Sequence, residues 1–354
     1  MASSKPPGSP EFSDEQKALI DLVLALRKAN IQEFLRQAEL PISGTKEQLR
    51  ERLQDALGDG RLAHSELVEL LDSLAPWGKQ HVRLYDGPRG DLQLWKNPDN
   101  THSLLKQHRL GKLFNSRLPL VLPEKLTLSS VTHADGRLRV TAIQKREYWN
   151  RKPELDEERE TAEGVKIVLK AYVYYLTRTL VAFEWDLNAN VAMLQITQLG
   201  RDGDYEKVAD EFVQFVGSWL DITQFGLVSL RPAIRALHER ERTGQAEVRS
   251  HGVDYLSLQN TRVAVRSASP RHSVVGEEHI DKGMEEVRKG TVGNLGNFYW
   301  LPKKKPGPAE NPLKDEVHAI MVGAKSRVNF PTPNTEDVVR YVVHRVRALS
   351  RTTP

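Results

Sequence analysis

The chain has 354 residues, with 51 Lys and Arg against 47 Asp and Glu, and no cysteine. At roughly 150 residues per domain this predicts two domains or three, and a hydrophobic share of 39% is enough for a buried core. The missing cysteine excludes disulfides, thiol nucleophiles and Cys-ligated zinc or iron–sulfur centres, and no apolar run reaches the about 18 residues of a membrane span. The lead Met1-Ala2-Ser3-Ser4-Lys5-Pro6-Pro7 has no apolar segment for export, so an intracellular location is expected.

Charge is unevenly placed. Residues 1–76 hold 9 bases and 13 acids, residues 77–152 hold 15 and 6, residues 153–165 hold 1 and 6, and residues 222–354 hold 21 and 14. The basic stretch at 77–152 predicts a face for a polyanion.

Residues 1–12 read as a disordered lead, and Gly8-Ser9-Pro10-Glu11-Phe12 resembles a cloning remnant. From Ser13, with Gln16 three residues on, a capped helix carries Leu19, Leu22, Val23 and Leu26 on one stripe. A second helix is predicted over 31–38. It is broken by Leu40-Pro41-Ile42-Ser43-Gly44. A third starts at Thr45, where Thr45 and Gln48 form a capping box, and buries Leu49, Leu53, Ala56 and Leu57. A fourth runs over 65–74 from a Ser65 cap. Residues 13–76 thus form a helical module. After Trp77, segments 82–85 and 92–95 flank Asp86-Gly87-Pro88-Arg89-Gly90 as a hairpin, and 104–114 reads as a short helix. Residues 138–143 leave an Asp135-Gly136 turn as a strand, and the acidic run 154–163 is an exposed loop. Segments 165–169, 171–176 and 180–185 are strands. A helix over 205–220 turns Val208, Phe212, Phe215, Val216 and Trp219 to one side, and 232–238 is another helix. Residues 317–322 and 326–330 are strands, followed by a helix over 335–350 with Val338, Val339, Val342, Val343 and Val346 inward. The fold class is α+β: an N-terminal all-α module, then a larger antiparallel-sheet domain over 77–354 with covering helices. That domain has a sub-boundary near 221–245 and an internal pseudo-repeat of strands followed by a helix.

The sharpest motif lies between Leu26 and Leu57: Ile31, Phe34-Leu35, then Leu40-Pro41-Ile42-Ser43-Gly44-Thr45-Lys46, then Leu49 and Arg52-Leu53. This closely resembles the SAP motif, a helix–extended loop–helix unit. The resemblance implies DNA binding, often to AT-rich duplex. The physics agrees, because the N-terminus of the helix at 45–57 offers free N–H groups and a positive dipole end to phosphate. Thr45 and Lys46 stand there. Arg50 is one turn on, and Arg36 can join from the preceding helix. The alternative is a stabilising helical pair with solvated cations, or one that binds protein.

Lys145, Arg146, Arg151 and Lys152 cluster around Tyr148 and Trp149, a mixture suited to phosphate contact plus stacking; the alternative is a hairpin edge. Lys106, Arg109 and Lys112 share a face if helical, with Arg117 following. Pro302-Lys303-Lys304-Lys305-Pro306-Gly307-Pro308 is an exposed basic loop with the look of a nuclear localisation signal. Gly290-Thr291-Val292-Gly293-Asn294-Leu295-Gly296-Asn297 lacks the Lys-Ser/Thr of a P-loop and reads as a hairpin turn. Glu184 and Asp186, at i and i+2 of a strand, could share a face and hold a metal, with Asp202 and Asp204 nearby, but the Lys partner of a nuclease is missing.

The succession of strands 171–176 and 180–183, a long helix and Phe225-Gly226-Leu227-Val228-Ser229-Leu230-Arg231-Pro232 is similar to the centromere protein N family of kinetochore proteins. That family's N-terminal module is of the pyrin type, whereas this one matches SAP, so no residue roles are carried across. The combined expectation is a non-enzymatic, cofactor-free protein that binds DNA, duplex ahead of single strand, in nucleus or nucleoid. A protein partner or homodimer is the alternative, and a metal-dependent nuclease the second alternative.

Overall fold

A computed structural model describes residues 12–352 except Arg27, Asp91, Leu120, Val121, Gln198, Gly200, Arg201, Asp202 and residues 303–310. The expectations for 1–11, Asp202 and the Lys303–Lys305 loop therefore lie outside the described residues.

Four helices come first: α1 (Asp14–Ala25), α2 (Lys28–Gln37), α3 (Lys46–Gly58) and α4 (His64–Leu74). Ser13 and Gln16 form the expected capping box on α1. Leu19, Val23, Ile31, Leu35, Leu49, Leu53, Leu67 and Leu71 meet in a core of their own. Ser65 is not the cap of α4. The helix starts one residue earlier, where the Glu66 carboxylate accepts from the Ala63 N–H at 2.6 Å.

The sheet domain follows in the order β1 (Gln80–Asp86), α5 (Gln93–Lys96), α6 (Pro98–Gln107), β2 (Thr127–Ala134), β3 (Arg137–Arg151), β4 (Glu157–Glu160), β5 (Lys166–Leu169), β6 (Tyr172–Asp186), β7 (Val191–Thr197) and α7 (Tyr205–Val216). It continues with β8 (Gly226–Leu227), α8 (Arg231–Arg242), β9 (Val248–Ser257), β10 (Arg262–Arg266), α9 (Glu278–Lys289), β11 (Thr291–Trp300), β12 (Val317–Val322), β13 (Arg327–Phe330) and α10 (Glu336–Thr352). One antiparallel sheet runs β10-β9-β11-β12-β13-β1-β7-β6-β3-β2, with β8 beside β1, while β4 and β5 form a separate two-stranded sheet. The α+β class is as expected.

Several local expectations fail for identifiable reasons. Residues 92–95 do not return as a hairpin strand. They enter α5, where Leu92 and Trp95 pack on the core and Trp95 lies 5.7 Å from Trp185. A four-residue apolar pattern cannot distinguish period 2 from a helical turn. Strands 171–176 and 180–185 are one strand, β6, paired with β3 from Arg151↔Tyr172 to Arg137↔Asp186. The acidic run is not all loop, since it contains β4. Phe215, expected inward on α7, is exposed. The glycine-rich segment is strand β11 rather than a turn. Its Gly293 is needed because a Cβ there would come within 2.8 Å of Ile234 Cβ and the Arg231 carbonyl on α8.

The sheet has two buried sides in different places. Leu138, Val140, Phe183, Trp185, Leu194 and Ile196 point to α7, whose Val208, Phe212 and Val216 cover them. The opposite side carries Val82, Leu84, Phe298, Trp300, Met321 and Val328 under α8, α9 and α10. Arg347 of α10 fixes that layer, donating at 2.9 Å to the Tyr85 and Ala192 carbonyls. The helical module packs on the sheet through Asp72 of α4, 3.9 Å from the buried Arg178 of β6.

Glu184 ties three elements together. Its carboxylate, on β6 and 6% exposed, accepts from Arg139 of β3 at 2.9 Å and from Arg340 of α10 at 2.6 and 2.9 Å. Both guanidiniums also lie over Trp77, at 5.6 and 5.3 Å from its centroid. Burial pushes the Glu184 carboxyl up, but the Arg340 hydrogen bonds and the charges of Arg139 and Arg340 outweigh it and hold it below its ordinary 4.5. Breaking such a buried pair costs about 3–5 kcal/mol. Glu184→Gln is therefore expected to lower the urea midpoint at pH 7. The depressed folded value makes this stabilisation fully present above the unfolded 4.5 and lost as pH falls through the lower folded value. Denaturation from pH 7 down to 3 should thus show the two proteins converging below about pH 4.5.

Candidate nucleic-acid interface

The helical module builds its loop from within. Between α2 and α3 the chain is extended, and Gln32 Nε2 donates to the Ile42 carbonyl at 2.8 Å. Arg52 donates to the Pro41 carbonyl at 3.1 Å and also to that of Ser43. Thr45 caps α3: its hydroxyl accepts from the Gln48 N–H at 3.3 Å, while Gln48 Oε1 accepts from the Thr45 N–H at 2.8 Å. Gly44 sits at φ +125°, and a Cβ there would lie 2.5 Å from Gln48 Oε1. The glycine of the motif is thus fixed by the reciprocal cap that follows it. Pro41, Ser43, Thr45, Lys46, Glu47 and Gln48 are exposed, so the first turn of α3 faces solvent.

The structure gives the cations of the motif partners that the sequence did not disclose. Lys46 Nζ donates to the Leu24 carbonyl and, at 3.1 Å, to that of Leu26, closing the end of α1. Arg50 pairs with Asp21 at 2.6 Å, and Arg36 pairs with Glu33 one turn before it on α2. Glu47 is held below its ordinary range by a backbone hydrogen bond and by the Thr45 hydroxyl, and its negative charge stands in this first turn. Lys46, Arg50 and Thr45 still surround one exposed helix end.

The second predicted cluster is divided by the strand pleat. Lys145, Trp149 and Arg151 lie on one face of β3, whereas Arg146 lies on the other, and Lys152 follows the strand. The side chain of Tyr148 lies outside the described residues. Carboxylates neutralise much of the rest. Lys145 meets Glu124 at 3.0 Å and Glu147, which push its ammonium up, Arg151 meets Asp156, and Lys152 meets Glu154 at 3.4 Å. The acidic run thus returns onto the basic residues that precede it. Trp149 is 64% exposed, 5.2 Å from Tyr174 on β6. Lys106, Arg109 and Lys112 do not share a helix face, because α6 ends at Gln107 and Arg109 adopts φ +60°. Arg117 pairs with Glu69 of α4 at 3.5 Å.

Glu184 and Asp186 do share a strand face, as alternation requires. Glu184 is held by Arg139 and Arg340, while Asp186 accepts from the Asn188 and Ala189 N–H groups at 3.0 and 2.8 Å in the turn before β7. Asp204 caps α7, accepting from the Glu206 and Lys207 N–H groups at 2.9 and 3.2 Å.

A second polar and aromatic surface escapes the sequence. Strands β9 to β13 bury one row of side chains beneath α8 and α10 and turn the alternate row outward: Arg249, Tyr299, His318, Arg327 and Asn329. Period-2 alternation marks 317–322, but the glycines of β11 hide that strand, so the row cannot be assembled from sequence alone.

Residues 24–58 match the SAP domain, and a SAP domain indicates binding of DNA or another nucleic acid. No curated protein matches the chain, and the comparisons lend no support to the resemblance to centromere protein N. Gly44→Ala tests how the site is built. Backbone strain of this kind is worth about 1–3 kcal/mol, so amide exchange across residues 45–49 should accelerate about fivefold or more while the sheet is unchanged.

Proposed function

We propose that the chain is a non-enzymatic DNA-binding protein that holds duplex phosphates at the exposed N-terminus of α3, in nucleus or nucleoid. The observation that carries this reading is the SAP match over residues 24–58, on a module whose Thr45 and Lys46 stand at a solvent-facing helix end. Phosphate there would meet N–H groups, the dipole and the Lys46 ammonium together. Lys46 would exchange the α1 carbonyls for a phosphate oxygen, and Arg50 would exchange Asp21. Arg36 stands as an outer contact. Such contacts position without specifying, so shape or AT preference is expected rather than strict sequence readout.

The test is fluorescence anisotropy with an AT-rich duplex across a salt series. Removing one phosphate interaction should flatten the log–log slope by about 0.9. Lys46→Ala/Arg50→Ala is expected to flatten it by about 1–2. Lys145→Ala/Arg146→Ala tests whether β3 also holds phosphates: an unchanged slope assigns binding to the module alone. Absence of binding at low salt would sink the proposal.

A second reading, a structural adaptor of a chromatin-type assembly, is favoured by one observation. The outer ends of β3 and β6, and the connecting segment that carries β4 and β5, expose Trp149, Leu155, Val165, Val168, Tyr172 and Tyr174. Exposed apolar groups on one hairpin and its extension, with Trp149 5.2 Å from Tyr174, suit a contact surface. The stretch 145–178 holds eight cations and seven carboxylates, a balance that lets a second copy of the chain be the partner. If so, Trp149→Ser/Tyr174→Ser converts a dimer to a monomer in analytical ultracentrifugation, with duplex binding per chain retained. A wild type that stays monomeric at tens of micromolar removes the homodimer.

A further inference from the structure

A cleft of about 350 Å³ lies where the helical module meets the sheet, apart from every residue assigned to duplex phosphates. Its floor follows from strand alternation. On β2 and β3 one row, with Val131, Leu138 and Val140, turns to α7. The alternate row is polar: Ser130 faces Thr141 across the ladder and Thr132 faces Arg139, with Leu180 of β6 completing the floor. Asp72 and Ser73 of α4, with Pro76 and Trp77 just after it, form one wall. Residues 116–118 ahead of β2 form a second, and Glu336 in the first turn of α10 forms a third. The volume suits a small molecule, and small-molecule sites favour the junction of two domains.

The charges around the cleft decide what it can take. Arg139 is held by Glu184, Glu336 accepts from Arg340 at 2.6 Å, and Arg117 is 3.5 Å from Glu69. Trp77 is covered by Arg139 and Arg340, so it closes the wall rather than offering a face. Asp72 is different. It makes no hydrogen bond among the described residues, and its ion-pair partner is Arg178 at 3.9 Å, whose terminal nitrogens are themselves buried without a hydrogen bond. Burial pushes the Asp72 carboxyl up, against the pull of Arg178 and Arg117. The hydroxyls of Thr132 and Thr141 on the floor also lack a hydrogen-bond partner among the described residues. A cation here would be repelled by Arg178 and an anion by Asp72. A neutral molecule with O–H groups would give the carboxylate the donors it lacks. Pro76, Leu118 and Leu180 supply apolar contact for the C–H side of a ring.

We infer that this cleft binds a small neutral molecule carrying a vicinal diol on a ring, the chemistry shared by a ribonucleoside and a free pentose. The diol donates to the Asp72 carboxylate, as a ribose hydroxyl does to the acidic residue of dinucleotide sites. Thr132 and Thr141 hold the ring from the floor. The inference uses none of the residues assigned to duplex phosphates, so the two readings can fail separately.

The experiment is isothermal titration calorimetry of the full chain with adenosine, 2′-deoxyadenosine and ribose at millimolar concentration. The proteins are wild type, Thr132→Val/Thr141→Val, Ser73→Trp and Asp72→Asn. Wild type should bind adenosine. The deoxynucleoside lacks one hydroxyl of the diol and should bind about tenfold more weakly or worse, since a hydrogen bond to a charged group is lost. Thr132→Val/Thr141→Val keeps the side-chain shape and should lose a similar factor. Ser73→Trp, at an exposed position on the rim, should block the cleft while leaving the urea midpoint and duplex binding at wild type. Asp72→Asn should abolish binding, but it also unpairs Arg178, so the threonine and Ser73→Trp variants decide the matter if it fails to fold. Adenosine binding tighter than ribose assigns a nucleoside; ribose binding as tightly or more tightly assigns the free pentose. Absence of binding of both adenosine and ribose overturns the inference. So does equal affinity for 2′-deoxyadenosine, or adenosine binding that both Ser73→Trp and the threonine variant retain.

Discussion

Strand β1 is the joint on which this architecture depends. On one side it pairs with β7, from Gln80↔Thr197 to Asp86↔Val191; on the other with β13, from Gln80↔Phe330 to Arg83↔Arg327. Without that seven-residue strand the chain would have two smaller sheets, each with an unpaired edge. With it, one continuous sheet forms, and each half is free to bury a different face. The half containing β2, β3, β6 and β7 is covered by α7; the half containing β9 to β13 is covered by α8, α9 and α10 on the other side. The half-buried polar row on the other face of the second half is a consequence of this arrangement.

Electrostatics then decides which basic residues remain available to a ligand. Arg139 and Arg340 are taken by Glu184, Arg347 by backbone carbonyls and Asp86, and Arg240 and Arg345 by Glu247. These guanidiniums are structural, since a buried carboxylate needs a cation beside it and the geometry supplies two. The excess of positive charge over 77–152 is real in the sequence. In space it is largely matched, because Lys145, Arg151 and Lys152 lie against carboxylates. Charge left incompletely matched gathers instead around Glu206, where three cations share one acid.

The helical module shows how a short motif can be both structural and functional. Thr45, Gln48 and Gly44 make the cap, Arg52 and Gln32 hold the loop, and Lys46 closes the end of α1. These residues, which make the sequence pattern recognisable, all have internal partners. What the pattern leaves exposed is the helix end itself, with backbone N–H groups and a dipole that no side-chain substitution removes.

The module was legible from its residues alone. Its caps at Ser13 and Thr45, its stripes and its loop are contacts between residues close along the chain, and local spacing is enough to specify them, whereas the expected Ser65 cap of α4 was not formed. The α+β class, the Asp135-Gly136 turn and the inward valines of α10 were legible too, since they follow from period and turn chemistry. Which strands are neighbours, and so which side chains share a face, emerges only when the whole chain folds. Tyr299, His318 and His251 are far apart in sequence and become a row through β11–β12 and β11–β9 pairing. Glu184 resembled a metal ligand because its partners, Arg139 and Arg340, come from distant elements. Long-range pairing depends on burial summed over the whole sheet, a quantity that no local window of the sequence contains.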